Sequence, residues 1–520
     1  MDVPDPLQAA LDLLLRDTEG QGAVGDIDDD SVTLFHCGDG AAGGSLRGHV
    51  ADTGPPGGAG EAPVGDQGTV LVHPTAYNKG ACLTYSFERL AYYAAKWGLT
   101  IFIAATAANG GLGLDKSVGA AMSSNLVAFT YITPIIGGYI ADRWISPRIL
   151  VPVGEILMGL GYLCAWRATE ANGIAMLWAM IILVSIGTGF FKGNVSGING
   201  RLFPLADQDE LDTVFNLQYM FVNIGSFCGT TFLSLVGKSA GYRTMFLVCG
   251  IFLFIDCVWW FVGMKSFGEA GKKPFLVDNR TENVDKADKE KDNAPLTKLE
   301  KNRVIAICIV TLFSGIFWLI WYMAYMPVYY EFGPVSEAGL GWANWNIGSF
   351  EMPTAWFDSM NGLLCIILCP VFAGIWAKMR QRPQGDWGMF TKTAIGIIIL
   401  GLCTGSFVLA AALSGQGTKD PVGIWVIILA SVFMSVGEII FSPLGNSFIS
   451  KYAPKKLLGT MLGVWPLIIF FSGKAYGPLY NWLGNFDFVK AYGAVTIIIV
   501  ACGVIMLAFT KKFDKMVEGK

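Results

Sequence analysis

The sequence predicts an all-α membrane protein, in which twelve transmembrane helices form two six-helix bundles and both termini lie in the cytoplasm. Only 15% of its 520 residues are charged and 53% are hydrophobic, whereas soluble globular proteins carry about 25% charged residues. Apolar runs of about 20 residues, the length that crosses a bilayer, recur along most of the chain. This composition excludes a chain of soluble domains.

The apolar runs fall into two groups of six. They cover roughly residues 83–107, 117–141, 149–168, 173–197, 213–236, 244–264, 303–325, 356–377, 390–413, 422–449, 458–482 and 488–510. We therefore predict an N-terminal bundle at 80–264, a charged cytoplasmic linker at 265–302 and a C-terminal bundle at 303–512. Two such halves are typical of proteins in which one bundle rocks against the other around a site at the bilayer midplane.

Residues 1–75 have a different composition from the rest of the chain. They contain 13 acidic and two basic residues, in a background rich in glycine and alanine. Such a segment buries too little apolar surface to fold alone, so we expect a disordered acidic tail. The tail also lacks the basic start and apolar core of a signal peptide. Its GxGxxG match at 38–43 has no flanking strand or helix and does not indicate nucleotide binding.

The basic residues of the loops predict the orientation. Loops after even-numbered spans are rich in lysine and arginine, with ten such residues across 265–303, whereas the loop at 326–355 has none and carries three glutamates. Basic loops remain on the cytoplasmic side. We therefore expect both termini in the cytoplasm of a multi-pass protein of the cell membrane.

Charged residues inside the apolar runs are the strongest indications of function. The first span contains Glu88, Arg89 and Lys96, the fourth contains Lys192, and the tenth contains Glu438. Each would cost about 2.5–3.5 kcal/mol at the bilayer centre. A structural ion pair of Glu88 with Arg89 or Lys192 is one interpretation. The excess of cations in one half and an acid in the other also matches a zwitterion, such as a peptide or an amino acid.

Seven short segments, in order and at corresponding spans, carry a family resemblance. They are ERLAYY at 88–93, GGYIADR at 137–143, GTGFFKGN at 187–194, YMFVNIGS at 219–226, WFDSMN at 356–361, GEIIFSPLG at 437–445 and MLGVW at 461–465. In that order they resemble ExxERFxYY, GGxxADR, GxGxxKxN, YxxxNxGS, WFQSLN, GExxxSPxG and MxGxW. These are signatures of the proton-dependent oligopeptide transporters, a family of the major facilitator superfamily, and the resemblance extends over residues 80–510.

The resemblance implies a major facilitator fold that imports di- and tripeptides together with protons by alternating access. It places Lys96 and Lys192 near the peptide carboxylate and Glu438 at the terminal ammonium. The residues implied to hydrogen-bond the peptide backbone are Tyr92, Tyr93, Tyr131, Asn223 and Asn361. Trp465 is implied to form the wall of a side-chain pocket. Packing between helices is the alternative role for the tyrosines and for Trp465.

Two tyrosines replace family acids and bear on proton coupling. Tyr85 stands at the first glutamate of ExxER, and Tyr322 stands at the acid of the seventh helix. Lys96 is therefore predicted to lack its usual partner in the opposite half. We predict that Glu88, beside Arg89, carries the proton once a substrate carboxylate competes for the cations. Loss of coupling is the alternative.

The predicted partners are small peptides, protons and the lipid bilayer, with no nucleic acid, cofactor or metal and with the chain acting as a monomer. An enzyme is not expected, because the spans contain no Ser/His/Asp or Cys/His set. The sequence leaves two other functions open. One is an uncoupled facilitator or exchanger of another small anion or zwitterion, and the other is a transport-inactive sensor on the same fold. Glu155 and Asp256 also lie within spans, without an assigned role.

Overall fold

The structure, a computed structural model, describes residues 74–202, 208–277, 296–383, 385–442, 444–454 and 457–518. The predicted disorder of the tail falls on residues outside these ranges, apart from 74 and 75, and the middle of the charged linker lies outside them as well.

Twelve long helices, labelled α1 to α12, make up the described part of the chain. They are α1 (Pro74–Ala104), α2 (Lys116–Arg143), α3 (Pro147–Trp166), α4 (Gly173–Arg201), α5 (Gln208–Cys228), α6 (Tyr242–Gly263), α7 (Lys298–Met323), α8 (Trp356–Arg380), α9 (Met389–Leu413), α10 (Trp425–Phe441), α11 (Leu458–Leu483) and α12 (Phe488–Glu518). Within the described ranges, nine spans are long and apolar enough to cross a membrane. The remaining three are α1 and α11, of 31 and 26 residues, and α10, of 17 residues.

Short helical segments extend three of these helices. A π-helical turn, Gly229–Leu233, continues α5 into Ser234–Ala240, while Tyr325–Tyr330 follows α7 and Leu444–Tyr452 follows α10. A π-helical turn inside a helix is frequent at functional sites. Here it contains Thr230 and Thr231, whose hydroxyls each lie 2.9 Å from Ser359 Oγ on α8. The turn thus joins the first six helices to the last six.

Local sequence explains where several helices begin. The hydroxyl of Thr297 accepts a hydrogen bond from the backbone N–H of Glu300, and the Glu300 carboxylate accepts one from the Thr297 N–H, at 3.2 and 2.8 Å. This capping box satisfies two otherwise unpaired donors at the start of α7. Asp115 caps α2 by accepting from the Ser117 N–H at 2.8 Å.

Small residues allow α5 to lie directly on α1. A Cβ atom built on Gly225 would come within 2.3 Å of the Ser86 carbonyl oxygen, and one on Gly229 within 2.2 Å of the Leu90 carbonyl oxygen. Glycines spaced in this way let two membrane helices approach closely. The contact fixes the stretch of α1 that contains Glu88 and Arg89.

Two long contacts connect the N-terminal helices α1–α6 with the C-terminal helices α7–α12. Within the first set, α1 packs on α5 and α6, and α4 packs on α2 and α3; within the second, α9 packs on α10 and α12, and α7 packs on α11. Between the sets, α2 packs along α11 and α5 along α8. Between the two sets, a space is lined by α1, α2 and α5 on one side and by α7, α8 and α10 on the other.

Four very short strands add a small departure from the all-α prediction. Strand β1 (Ala343–Asn344) pairs in parallel with β4 (Val422–Gly423), and β2 (Asn346–Ile347) pairs antiparallel with β3 (Phe350–Glu351). The β1–β4 pairing ties the loop after α7 to the loop before α10, whereas β2 and β3 both lie in the loop after α7. We call the face that carries the 331–355 loop the exterior face, because the positive-inside rule assigns its sparsely basic loops to the outside.

One ion pair on the exterior face joins α2 to the end of α7. Lys116 Nζ lies 2.8 Å from Glu331 Oε1, and the Tyr480 hydroxyl donates to the same oxygen at 2.7 Å. Close by, the Tyr330 hydroxyl donates to the Thr100 carbonyl at 2.8 Å. Burial raises the pKa of the Glu331 carboxyl above its usual value, although Lys116 opposes this shift.

A second ion pair lies between the end of α5 and the 331–355 loop. Lys238 Nζ is 2.7 Å from Glu351 Oε1 and 3.6 Å from Glu337 Oε1. Burial also raises the pKa of Glu337. Together, the Lys116 and Lys238 pairs hold the two sets of helices against each other on the exterior face.

Candidate functional site

A cavity of about 640 Å³ lies between the two sets of helices and brings together most of the predicted site residues. Its described lining comprises Tyr92, Tyr93, Lys96, Tyr131, Tyr219, Asn223, Ser226, Trp318, Trp321, Tyr322, Tyr325, Asp358, Asn361, Gly362, Cys365 and Glu438. A smaller cavity of about 180 Å³ shares Tyr92 and Tyr131 with it and adds Arg89, Thr130, Thr188 and Lys192. Of the predicted residues, only Glu88 and Trp465 are absent from the described linings of both cavities.

Glu88 and Arg89 form a two-point ion pair on α1. Arg89 Nε lies 2.5 Å from Glu88 Oε2, and Arg89 Nη2 lies 2.6 Å from Glu88 Oε1. Both side chains are buried, and the Arg89 guanidinium also lies 4.5 Å from the centre of the Tyr92 ring. Arg89 thus stands between the Glu88 carboxylate and Tyr92 at the edge of the smaller cavity.

Lys192 reaches the smaller cavity because glycines bring α4 close to its neighbours. A Cβ atom on Gly187 would meet the Gly154 carbonyl of α3 at 2.5 Å, and one on Gly189 would meet the Thr133 carbonyl of α2 at 2.7 Å. One turn further on, the buried Lys192 ammonium lies 4.8 Å from the centre of the Tyr131 ring. The face of an aromatic ring attracts a cation.

Lys96 has a carboxylate partner in the opposite half, and this partner is not the seventh-helix acid that Tyr322 replaces. Its ammonium lies 3.7 Å from Asp358 Oδ1 on α8. The other oxygen, Asp358 Oδ2, accepts a hydrogen bond from the Tyr329 hydroxyl. The acid comes from the WFDSMN segment, where the family resemblance has glutamine, instead of from the seventh helix.

Aromatic rings surround the Lys96 ammonium on several sides. Its distances to ring centres are 4.5 Å for Tyr325, 5.3 Å for Trp321, 5.6 Å for Tyr93 and 5.8 Å for Tyr322. Three of these rings come from α7 and the segment that follows it. Ring faces and one carboxylate together replace the water that this cation loses on burial.

The tyrosines of the cavity also contact one another. The Tyr322 hydroxyl donates to the Tyr131 hydroxyl at 3.1 Å, which links α7 to α2 across the space between the halves. The Tyr92 hydroxyl lies 3.2 Å from Thr130 Oγ1. These side chains therefore pack between helices and line the cavity at the same time, so the two roles weighed from the sequence are compatible.

Glu438 on α10 is held by two donors from neighbouring helices. Asn361 Nδ2 donates to Glu438 Oε2 at 2.9 Å, and Trp321 Nε1 donates to the same oxygen at 3.1 Å. Asn361 donates as well to Ser435 Oγ at 3.0 Å. On the other side of the cavity, Asn223 Nδ2 donates to the Tyr219 carbonyl at 2.9 Å.

Trp465 packs within the C-terminal half. Its ring stacks on Phe441 with 6.4 Å between centres, and a Cβ atom on Gly445 would overlap it at 2.1 Å. The buried acids Glu155 and Asp256 also lie outside the described linings of both cavities.

The sequence analysis missed two features of the cavity. The first is Asp358, which the sequence shows only as a departure from one motif. The second is the aromatic side of α7, where Trp318, Trp321, Tyr322 and Tyr325 recur at the spacing of one helical face. That spacing is the signal that could have identified them.

The cavity brings charges of opposite sign together from the two halves. Lys96, Lys192 and Arg89 contribute cations from the N-terminal helices, and Glu438 and Asp358 contribute acids from the C-terminal helices. Buried charges of this kind in a membrane protein mark a pathway or a binding site.

Comparison with known proteins agrees with this architecture. The family model described as Major Facilitator Superfamily matches residues 87–478. A di-/tripeptide transporter of Lactococcus lactis subsp. cremoris is 24% identical over 498 residues, covering 83% of this chain and 94% of the relative. Dipeptide and tripeptide permease B of Edwardsiella piscicida is 24% identical over 421 residues, covering 73% and 81%.

Solved structures share the same fold. The crystal structure of a POT family transporter in complex with 5-aminolevulinic acid superposes with a TM-score of 0.74 at 23% identity, covering 86% of this chain and 98% of the other. The similar proteins are membrane transporters and not enzymes. The chain therefore belongs to the Major Facilitator Superfamily, and its predicted resemblance to the proton-dependent oligopeptide transporters is confirmed.

Proposed function

We propose that the chain is a secondary active transporter that imports di- and tripeptides with protons by alternating access. It would act as a monomer in the inner membrane of a bacterium. The observation that supports this most directly is a cavity between the halves, with cations from one half and Glu438 from the other. A peptide carries complementary charges at its two ends.

The ends of the peptide would be recognised by opposite halves. Lys96 and Lys192 would bind the carboxylate, because a buried ammonium is stabilised by an anion. Glu438 would bind the terminal ammonium, since the Asn361 and Trp321 donors orient its carboxylate. Tyr92, Tyr93, Tyr131, Asn223 and Asn361 would hydrogen-bond the peptide backbone between them. Trp465 remains a predicted wall of a side-chain pocket, although its contacts are with Phe441 and Gly445.

Proton coupling would involve Glu88 in the N-terminal half. The Arg89 guanidinium holds the Glu88 carboxylate at two points. A peptide carboxylate that binds Arg89 and Lys192 would compete with Glu88 for these cations and weaken the Glu88–Arg89 ion pair. Glu88 would then take up a proton as the substrate binds.

The relatives support the proposed substrate class. Two of them are described as transporters of di- and tripeptides, and the solved POT family transporter holds 5-aminolevulinic acid. That compound has an ammonium and a carboxylate separated by several bonds, as a dipeptide has.

An uncoupled facilitator is the second candidate. It is favoured by one observation, namely that tyrosines stand at positions 85 and 322 where the family resemblance has acids. A sensor that binds peptides without transporting them is the third.

Counterflow of labelled dialanine in proteoliposomes, with and without a pH gradient, tests these functions. A coupled transporter shows counterflow and also accumulates dialanine when the gradient is imposed. Counterflow without gradient-driven accumulation would identify a facilitator. Dialanine binding without either activity would identify a sensor and contradict the proposal.

A further inference from the structure

We propose that Asp358 is the proton-exchanging acid of the C-terminal half, and that protonation of Asp358 releases Lys96 to the substrate carboxylate. This inference rests on the proposed function and names a residue of its coupling mechanism. It is carried by the ion pair that joins α1 to α8 inside the central cavity.

The Lys96–Asp358 pair connects the two parts of the molecule that must separate during transport. The ammonium and the carboxylate oxygen lie 3.7 Å apart, and each residue is 7% exposed. Both residues line the cavity, so a bound substrate can reach either one. Tyr329 donates to the second carboxylate oxygen and fixes the orientation of Asp358.

Breaking a buried ion pair without compensation leaves two costly charges. Two partners can compensate here. A proton that Asp358 takes from water neutralises the carboxylate, and the substrate carboxylate takes its place beside the Lys96 ammonium. When the substrate leaves on the other side, Asp358 returns one proton to water and pairs again with Lys96. The pair thus exchanges one proton for each substrate, in addition to the proton proposed for Glu88, and Lys96 keeps its charge throughout.

Protonation of Asp358 acts on Lys96, because the other groups described around Asp358 are phenols, an acid and neutral hydroxyls. Tyr325, Tyr329 and Tyr476 are the neighbouring phenols. On α10, which packs against α8, the nearest acid of the cavity is Glu438. The π-helical turn after α5 packs against α8 next to Asp358. It contributes the neutral hydroxyls of Thr230 and Thr231, which are hydrogen-bonded to Ser359. Within the described residues, the ion pair that Asp358 forms is the one with Lys96.

The sequence departs from the family motifs at two positions beside Lys96, and the second departure compensates for the first. Tyr322 stands where the resemblance has the acid of the seventh helix, and Asp358 stands where it has glutamine. The centre of the Tyr322 ring is 5.8 Å from Lys96 Nζ, so positions 322 and 358 both face the same ammonium. The chain retains an acid opposite Lys96 but supplies it from α8 instead of α7.

Asp358→Asn tests the inference in proteoliposomes, because it keeps the shape of the side chain and removes its charge. We expect accumulation of dialanine to fall to the level seen without a pH gradient, while counterflow persists. The second variant, Tyr322→Glu combined with Asp358→Asn, returns an acid to the Lys96 ammonium from α7. We expect it to restore gradient-driven accumulation, which a merely structural role of Asp358 would not predict.

The outcomes separate this inference from the proposed function. If wild-type protein shows counterflow but no accumulation, coupling itself is absent and the assignment fails with it. If wild type accumulates dialanine and Asp358→Asn does so equally, the proposed function stands and Asp358 is not the exchanging acid. Loss of both activities in Asp358→Asn, without rescue by Tyr322→Glu, would show that Asp358 only holds the fold together and would overturn the inference.

Discussion

At the scale of single residues, each charge of the cavity is held by a different kind of partner. Arg89 holds Glu88 through two hydrogen bonds, and Lys96 meets Asp358 across the halves. Glu438 receives neutral donors from Asn361 and Trp321. These two donors orient the Glu438 carboxylate at the cavity, where we propose that it binds a substrate ammonium.

Replacement of Glu438 by glutamine should remove the preference for a free peptide amino terminus. A hydrogen bond to a charged group contributes roughly 2 kcal/mol, so the affinity for dialanine should fall about 30-fold. The affinity for N-acetyl-dialanine should change little, since that peptide has no ammonium. Competition against labelled dialanine gives both values, and a variant that still prefers the free amino terminus as strongly as wild type would place the ammonium elsewhere.

Replacement of Glu88 by glutamine should separate accumulation from exchange. The side chain keeps its size beside Arg89 but cannot release or take up a proton. We expect gradient-driven uptake of dialanine to be lost and counterflow to be retained, measured in the same proteoliposomes. Glu269→Gln provides the matched control, because Glu269 pairs with Lys272 at an exposed site where an ion pair contributes little. Accumulation that survives in Glu88→Gln would remove Glu88 from the coupling mechanism.

Much of the cavity could be predicted at this scale because a charge inside an apolar span is costly and therefore conspicuous. Lys96, Lys192 and Glu438 are such charges, and each lines a cavity. The same argument did not identify Asp358, because this residue lies near the start of its apolar run. A charge at that position is compatible with the membrane surface. Only the packing of α8 against the rest of the bundle shows that it is buried. Trp465 was predicted from a motif alone, and a motif does not specify which neighbour a ring will contact.

At the scale of elements, the predicted runs correspond to the helices wherever apolar length decides the boundary. The tenth run, predicted at 422–449, is instead divided into Trp425–Phe441 and Leu444–Tyr452. The sequence has Pro443 between the two segments, and a proline has no backbone N–H to continue the hydrogen bonds of a helix. The short strands after α7 were not foreseen either, because strands of two residues have no recognisable alternation.

The exterior ion pair between Lys116 and Glu331 predicts how the closed exterior face responds to pH. Burial raises the pKa of Glu331 in this structure, whereas an exposed glutamate in an open state would have its ordinary value. The closed state therefore binds protons more tightly, and it gains stability as the pH falls towards the ordinary pKa of glutamate. That stability is lost as the pH rises through the raised pKa.

Distances between spin labels at Ala108 and Leu340, two exposed positions on loops of opposite halves, measure this response. We expect the population with a short distance to increase as the pH is lowered from neutral. Glu331→Gln should make the population insensitive to pH over that interval, apart from the contribution of Glu337, whose pKa burial also raises. Opening of the exterior face on acidification would contradict the prediction.

At the scale of the whole molecule, transport by alternating access requires the two sets of helices to separate on the exterior face. In the α2–α11 contact, Gly473 and Gly477 let α11 lie against the α2 backbone. A Cβ atom on Gly477 would come within 2.5 Å of the Ala120 carbonyl. Side chains do not interlock at these two positions, and the ion pairs of Lys116 and Lys238 connect the two halves on the same face.

A covalent link across the exterior face should therefore stop transport. In Lys116→Cys combined with Glu331→Cys, a short cleavable thiol cross-linker would join the ends of α2 and α7 at the site of the 2.8 Å ion pair. We expect cross-linking to abolish counterflow of dialanine, because counterflow needs the site to face each side in turn, and we expect cleavage of the linker to restore it. Each single cysteine variant, treated in the same way, controls for reaction at the native cysteines and for loss of the ion pair itself. Counterflow that continues in the fully cross-linked double variant would show that substrates cross without opening this face, and it would refute alternating access between the two halves.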